Sequence, residues 1–299
     1  MLLDGHSLLY RAYHALPEDM CTSDGHPTNA TYGFATMLAK LLDDHRPDAM
    51  AVAWDSPTST WRHEVDSGYK AGRASTPNTL PVQIGDVRRL VSTLGYRSFA
   101  VPRFEADDIV ATLSDRASRQ GWETLVVTGD RDCFQLAQDA DSDPERPGGV
   151  TVLWTRRGVS DLVLMTPSAV EERFGVPASL YPQFAALRGD SSDNLPGVPG
   201  VGEKTAAKLL CEYGSIDGIY ENLGSLTPKL RESFVAARER LALNLGLTIL
   251  ERNVPDLPDD VSALRQRHCT PAHLHEFLAA YEMGSLHRRF GDHVWANAA

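Results

Sequence analysis

The sequence predicts an α/β fold in which a largely parallel sheet carries helices on both faces, with a helical subdomain behind it. Two observations carry this. Through the first half of the chain, short apolar runs alternate with stretches of helical period, and strand, helix, strand at this spacing implies crossover connections. After most of those apolar runs stands an acid, and in an open α/β sheet the ends of the strands are where ligands bind.

The runs at 1–3 (MLL), 50–54 (MAVAW), 97–101 (RSFAV), 124–128 (TLVVT) and 150–154 (VTVLW) read as strands. Between them, Met37, Leu38, Leu41 and Leu42 share one face of a helix over 32–45. In 81–94, Pro81 suits a first helical turn, and Ile84, Val87, Leu90, Val91 and Leu94 form a stripe that stops before Gly95. In 107–119 the stripe is Ile109, Val110, Leu113 and Ala117. A further helix is expected around His273 to Tyr281. The expected division is an α/β core over 1–165 and a helical subdomain over 166–299.

With 299 residues, 23% charged and 42% apolar, the chain can bury a substantial core and reads as a soluble globular protein. No apolar run approaches the roughly 18 residues of a membrane span, and the N-terminus lacks the pattern of a signal peptide, so a cytoplasmic protein without a membrane partner is expected. Cys21, Cys133, Cys211 and Cys269 form no CxxC pair, which disfavours zinc and disulfides. A net charge of −11 argues at first against nucleic acid.

The distribution of the acids changes that reading. MLL is followed by Asp4, MAVAW by Asp55, RSFAV after a short gap by Glu105, Asp107 and Asp108, and TLVVTG by Asp130 and then Asp132. The later stretch RGDSSDNLPG adds Asp190 and Asp193. The helix dipole favours acids in a first turn by about 0.3–1 kcal/mol each. That explains a single acid, not a shared position at strand ends. Like charges about 4 Å apart repel by on the order of 4 kcal/mol per pair at an effective dielectric of about 20, and the nine carboxylates are expected to converge with no Lys or Arg near enough to neutralise them. Divalent cations resolve the repulsion. A ligand set of oxygens without His or Cys suits Mg²⁺ or Mn²⁺. Two such ions are a recurrent device for phosphodiester hydrolysis, activating water and stabilising the leaving oxygen. Setting nine acids aside moves the balance from −11 to −2, and the charge objection to nucleic acid largely lapses.

Two further stretches suit a nucleic-acid substrate. In LPGVPGVGEKTAAKLLCEYG, residues 195–214, Gly197, Gly200 and Gly202 allow a tight turn into a helix from Thr205 whose free amides can hold a phosphate, with Lys204 and Lys208 on that helix. No strand precedes these glycines, so they are not a dinucleotide fingerprint. The pattern is that of a helix-hairpin-helix gripping duplex backbone without regard to sequence. The segment over 56–80 is too long and polar for a plain connection. It interleaves Arg62, Lys70 and Arg73 with Trp61 and Tyr69, which suits a single strand held by phosphate contact and base stacking.

Taken together, LLDGHSLLYRAYHAL, AVAWD, WRHEVDSGYKAGR, FEADD, TGDRD and RGDSSDNLPGVPGVGEKTAAKLL resemble the bacterial 5′ nucleases of the flap endonuclease family, found as the N-terminal domain of DNA polymerase I and as free-standing enzymes. The resemblance spans residues 1 to about 250. It implies a PIN-like fold with a helical arch at 56–80 and a metal-dependent 5′-3′ exonuclease and flap endonuclease acting in DNA replication and repair. It assigns metal binding to Asp4, Asp55, Glu105, Asp107, Asp108, Asp130, Asp132, Asp190 and Asp193. Tyr69, Lys70 and Arg73 become arch residues near the scissile phosphate, and Arg62, Gly200, Gly202, Lys204, Thr205 and Lys208 DNA contacts. It further implies DNA with 5′ ends or flaps as partner, RNA primer strands as a further substrate, a monomer, and a monovalent cation at the hairpin motif.

The arch departs from the family pattern in having Ser67 and Gly68 where a proline usually precedes the YK pair, and 139–149 reads as an extra acidic loop. Two alternatives remain open. One is a PIN-like ribonuclease, which the duplex-gripping hairpin disfavours. The other is a catalytically silent DNA-binding paralogue, which the intact carboxylates disfavour.

Overall fold

The strands Leu2–Asp4 and Ala51–Ala53 are buried throughout, so they read as continuous hydrophobic runs rather than an alternation, whereas Arg97–Phe99 at the sheet edge is half-buried. The computed structural model describes residues 1–73, 75–156 and 161–290. The chain runs β1 (Leu2–Asp4), α1 (Gly5–Ala15), α2 (Asn29–His45), β2 (Ala51–Ala53), α3 (Trp61–Val65), α4 (Leu80–Thr93), β3 (Arg97–Phe99), α5 (Ala106–Arg119), β4 (Thr124–Thr128), β5 (Val150–Thr155) and β6 (Leu162–Met165). It continues through α6 (Pro167–Phe174), α7 (Tyr181–Arg188), a two-residue pair β7 (Gly189–Asp190) and β8 (Leu195–Pro196), α8 (Glu203–Tyr213), α9 (Ile216–Glu221), α10 (Pro228–Thr248) and α11 (Pro271–Ala280).

The six strands lie in the order β3-β2-β1-β4-β5-β6. The pairs among the first five are parallel, and β6 runs antiparallel to β5. From β1 the chain first builds outward through β2 to β3, then returns along α5 to place β4 on the other side of β1. That reversal is a topological switch point, and it opens a crevice at the carboxyl ends of β1 and β4. All five expected strands and the expected helices are present. The structure adds α1, whose start at Gly5 packs directly on the Trp54 ring, and the edge strand β6.

Two hydrophobic clusters pack on the sheet. One gathers Leu8, Phe34, Leu38, Trp54, Val87 and Leu278 from α1, α2, α4, α11 and the strand ends. The other joins Ile109 and Leu113 of α5 to Phe134, Tyr181, Phe184, Leu209 and Phe234, so it is continuous across residues 165 and 166. The helix ends follow capping chemistry. Thr166 accepts from the Ala169 amide before Pro167, and Gly175 ends α6 in the left-handed region at φ 72°. The loop over 139–149 is a tight turn, bridged at Asp143 and Arg146 and held to α5 by Arg146 and Asp115 at 3.2 Å. The tail ends with residues 291–299, which lie outside the described residues.

Within 56–80 the helical parts among the described residues are the short helix α3 and the first residue of α4, and the rest is turns and irregular chain. The segment lies against the carboxylates and is tied to α10 as well, through Arg240 and Asp66 at 2.6 Å.

Candidate active site

The strand ends build this site. Asp4 ends β1 and caps α1, accepting the Ser7 amide at 2.9 Å. Its second oxygen accepts the hydroxyl of Thr128, the last residue of β4, at 2.7 Å. The same hydroxyl accepts the Asp130 amide at 3.0 Å, and Asp130 accepts the Asp132 amide at 2.9 Å. Gly129 donates its amide to Ser7 Oγ at 2.8 Å. These bonds fasten the two strand ends across the switch point. Beyond β2, the Asp55 amide donates to His6 Nδ1 at 3.0 Å, and its carboxylate accepts the first amide of α5, that of Ala106, at 2.8 Å.

The acids of the crowded FEADD stretch have different partners. Glu105 is the N-cap of α5 and Asp107 lies in its first turn. Asp107 accepts a weak bond from the buried Cys133 thiol at 3.4 Å. Asp108 is fully buried, and Arg62 embraces it with Nη1 and Nη2 at 2.7 and 2.8 Å. The Glu251 amide adds a bond to Asp108 at 3.0 Å.

Four of the nine acids therefore have basic partners. Glu105 accepts from Lys70 Nζ at 2.8 Å and from the Tyr69 hydroxyl at 3.1 Å. Asp193 accepts from Arg73 at 2.6 Å and from Tyr69 at 2.9 Å. Asp190 lies 3.5 Å from Arg188, and Asp108 is bonded to Arg62. The expectation that no Lys or Arg approaches the acids is thus corrected: tertiary packing brings these bases from elsewhere in the chain. Among the described residues the other five, Asp4, Asp55, Asp107, Asp130 and Asp132, have no Lys or Arg in ion-pair range.

The electrostatics divide the same way. Burial, followed by the charge of Asp55, pushes the Asp4 carboxyl up to about 7. Burial and the neighbouring acids raise Asp107 and Asp132 well above the usual carboxylate range. Asp130 is raised too, chiefly by burial. Asp193 moves the other way: burial would raise it, but Lys70 and Arg73 outweigh that and hold it low. Among the described residues no three Asp, Glu, His or Cys groups are gathered as a ready coordination shell. The fit to a cation rests instead on donor chemistry. Carboxylate oxygens that repel one another and lack a Lys or Arg partner suit a hard divalent ion, and His6 and Cys133 meet Asp55 and Asp107 as neighbours at the edge of the set.

Two expected assignments change. Asp108 is the bidentate partner of Arg62, whose Nη1 also approaches Glu105 at 3.5 Å, so its oxygens are taken up by a buried ion pair rather than left free for a cation. Arg62 is 1% exposed, and its Nε and Nη2 also donate to the carbonyls of Leu247 and Ile249. It therefore joins α5 to the end of α10 and offers nothing to a DNA strand. Tyr69 does reach the acids, but it is buried and gives its hydroxyl to them, so it is no stacking platform. Thr128, Ser7, His6 and Cys133 belong to the site without having been singled out in the sequence. For Thr128 the signal was present in TGD, a hydroxyl at a strand end beside the acid.

The hairpin motif runs from α7 through β7 and β8 into α8. Gly200 takes φ 85°, open only to glycine without strain, and Gly202 is the N-cap of α8. Gly200, Gly202, Lys204 and Lys208 are exposed and Thr205 is half-buried. Asn244 of α10 donates to the Pro196 carbonyl at 2.7 Å and fixes the turn.

The family profile described as 5′-3′ exonuclease, N-terminal resolvase-like domain, matches residues 1–175, and the profile of the 5′-3′ exonuclease C-terminal SAM fold matches residues 176–272. The chain belongs to the 5′-3′ exonuclease family. DNA polymerase I of Mycobacterium tuberculosis is 44% identical over 293 residues, covering 98% of this chain and 31% of the relative. The thermostable DNA polymerase I of Thermus aquaticus is 40% identical over 291 residues, covering 97% and 33%. The chain spans about a third of the length of these curated relatives. In fold it is similar to a 5′-exonuclease of bacteriophage T5 with bound zinc ions, at TM-score 0.67 and 21% identity, covering 95% of this chain and 98% of that one. It is also similar to the catalytic core of Rad2 in complex with a DNA substrate, at TM-score 0.62 and 15% identity, covering 99% and 91%.

Proposed function

We propose that this chain is a divalent-metal-dependent 5′ nuclease that hydrolyses phosphodiesters of DNA at 5′ ends and 5′ flaps, in replication and repair. The observation that carries this reading is the set of five carboxylates at the switch point, Asp4 buried and Asp55, Asp107, Asp130 and Asp132 partly exposed, with no Lys or Arg in ion-pair range among the described residues. The T5 relatives with metal ions and DNA, and Rad2 with its DNA substrate, support it.

Asp4, Asp55, Asp107, Asp130 and Asp132 would hold the cations, Mg²⁺ or Mn²⁺, with Glu105, Asp190 and Asp193 completing the ring around them. When bound, such ions activate a water and neutralise charge on the leaving oxygen. The protein's own groups do the rest. Thr128 and Ser7 fix the carboxylates that meet across β1 and β4. Tyr69 bridges Glu105 and Asp193 and sets the height of the arch above them. Lys70 and Arg73, on turns rather than a helix, can turn from their carboxylates towards the oxygens of a reacting phosphate, where fixed positive charge stabilises the transition state. Gly200, Gly202, Lys204, Thr205 and Lys208 would hold the duplex by its backbone, with a monovalent cation as a further component of that turn. A monomer acting on DNA, with RNA primer strands as a further substrate, is the corresponding assembly.

The test is incubation of a 5′-labelled DNA flap and a matched single-stranded RNA with Mg²⁺ and with EDTA. Mg²⁺-dependent cleavage of the flap with the RNA intact is expected. Cleavage of the RNA in preference to the flap would instead make the chain a ribonuclease.

A further inference from the structure

We propose that Arg156 and Arg173, gathered with Arg131 around the indole of Trp154, form an additional phosphate-holding face for the duplex part of the substrate, an inference that rests on the nucleic-acid reading above. The guanidinium carbons of Arg131, Arg156 and Arg173 lie 5.4, 6.0 and 5.0 Å from the centroid of one ring. The indole offsets part of the repulsion among them through its negative face. Arg173 sits in the last turn of α6, where the helix dipole also favours a cation. Of the three, Arg131 alone has an acid in ion-pair range among the described residues, and at the far limit of it. Arg131 comes no nearer than 4.0 Å to Glu203, which Arg188 approaches at 3.5 Å, and among the described residues no carboxylate pairs with Arg156 or Arg173.

The arginines on the back of α5 form an instructive contrast. Arg116, Arg119, Arg146 and Arg252 are also clustered, but Asp115, Asp143 and Asp259 pair with them. Those acids offset most of that group's charge, and Arg146 with Asp115 holds the extra loop in place. The Trp154 group has no such offset beyond Glu203 among the described residues, in a chain whose net charge is −11.

Position and exposure specify the ligand. Trp154 Nε1 donates to the Gly129 carbonyl at 3.1 Å, which places the patch one residue from Asp130. Through Arg131 and Glu203 it adjoins the start of α8, so the patch and the hairpin turn share one side of the site. The indole is 7% exposed and covered by the guanidinium groups, so no base can stack on it. Single-strand sites combine charge with open aromatic faces; this patch offers charge alone. That suits a duplex, which turns its bases inward and presents phosphates.

The test is binding of a blunt DNA duplex and of a single-stranded oligonucleotide of equal length, each followed by fluorescence anisotropy in Ca²⁺ over several salt concentrations. With about 0.9 counterions released per neutralised phosphate, the double variant Arg156→Ala/Arg173→Ala should flatten the duplex salt slope by about 2 and leave the single-strand slope unchanged. Arg156→Lys/Arg173→Lys should restore it. Arg119→Ala, whose guanidinium is already paired with Asp115, should leave the slope as in the parent. A double variant with the parental melting temperature and the parental duplex slope overturns the proposal, as does a loss confined to single strands. If Lys204→Ala weakens duplex binding and the double variant does not, this patch alone fails. If the parent binds neither nucleic acid, the nucleic-acid reading itself fails.

Discussion

Arg62 and Asp130 show how neighbouring charges in one site can have opposite roles. Arg62 and Asp108 are both buried and form two parallel bonds. Removing one partner of such a pair leaves a bare buried charge, so Arg62→Ala should destabilise the fold by about 3–5 kcal/mol. Urea unfolding measures this, and the salt slope of DNA binding should not change. Asp130 lies in the repelling set. Asp130→Asn should lower the single-turnover rate by orders of magnitude, leave DNA affinity equal or slightly tighter, and raise the melting temperature in EDTA because one repelling charge is gone. Near-normal turnover in this variant would remove Asp130 from the proposed cation site.

At the scale of elements, the arch and the hairpin carry their lysines differently. Lys70 has φ 57°, a left-handed backbone held by its amide bond to the Asp193 carbonyl at 3.0 Å, and that turn aims its side chain at Glu105. Lys204 stands exposed in the first turn of α8. Lys70→Ala should therefore mainly lower kcat, by about 10² if it acts as other preorganised donors do. Lys204→Ala should mainly raise KM and flatten the salt slope by about 1. One kinetic series over several salt concentrations separates the two. A change in KM alone for Lys70→Ala would make the arch a guide for the strand, leaving charge stabilisation to Arg73 and the cations.

Across the whole molecule, protons and cations compete for the same oxygens. The folded-state pKa of Asp4 is raised from 3.8 to about 7, and Asp107, Asp130 and Asp132 shift in the same direction. A raised carboxyl contributes stability that is full below its unfolded pKa and is lost as pH rises through its folded one. Without metal, Asp4 should weaken the fold from about pH 4 to about pH 7, and Asp107, Asp130 and Asp132 should act in the same direction. A cation favours the charged form, so the rise in melting temperature on adding Mg²⁺ should grow between about pH 5 and about pH 8. Calorimetry with and without Mg²⁺ at a series of pH values checks this. A rise that is constant with pH would separate the cation from these carboxylates.

The sequence by itself determined the first five strands, the amphipathic helices α2, α4 and α5 and the placing of an acid after each of several strands. Those features are local: burial on both faces writes a continuous apolar run, helix packing writes a 3.6-residue stripe, and a strand end is one position along the chain. Tertiary structure alone decided which acids are neutralised. Arg62 reaches Asp108 across 46 residues and Tyr69 reaches Asp193 across 124, separations over which no periodicity links the partners. It also decided the strand order, and with it the switch point that brings Asp4 to Thr128 and Asp130. Because a carboxylate's charge depends on burial and on neighbours within a few ångströms, the same residue type became a structural ion pair at Asp108 and a candidate cation ligand at Asp107, one position away in the chain.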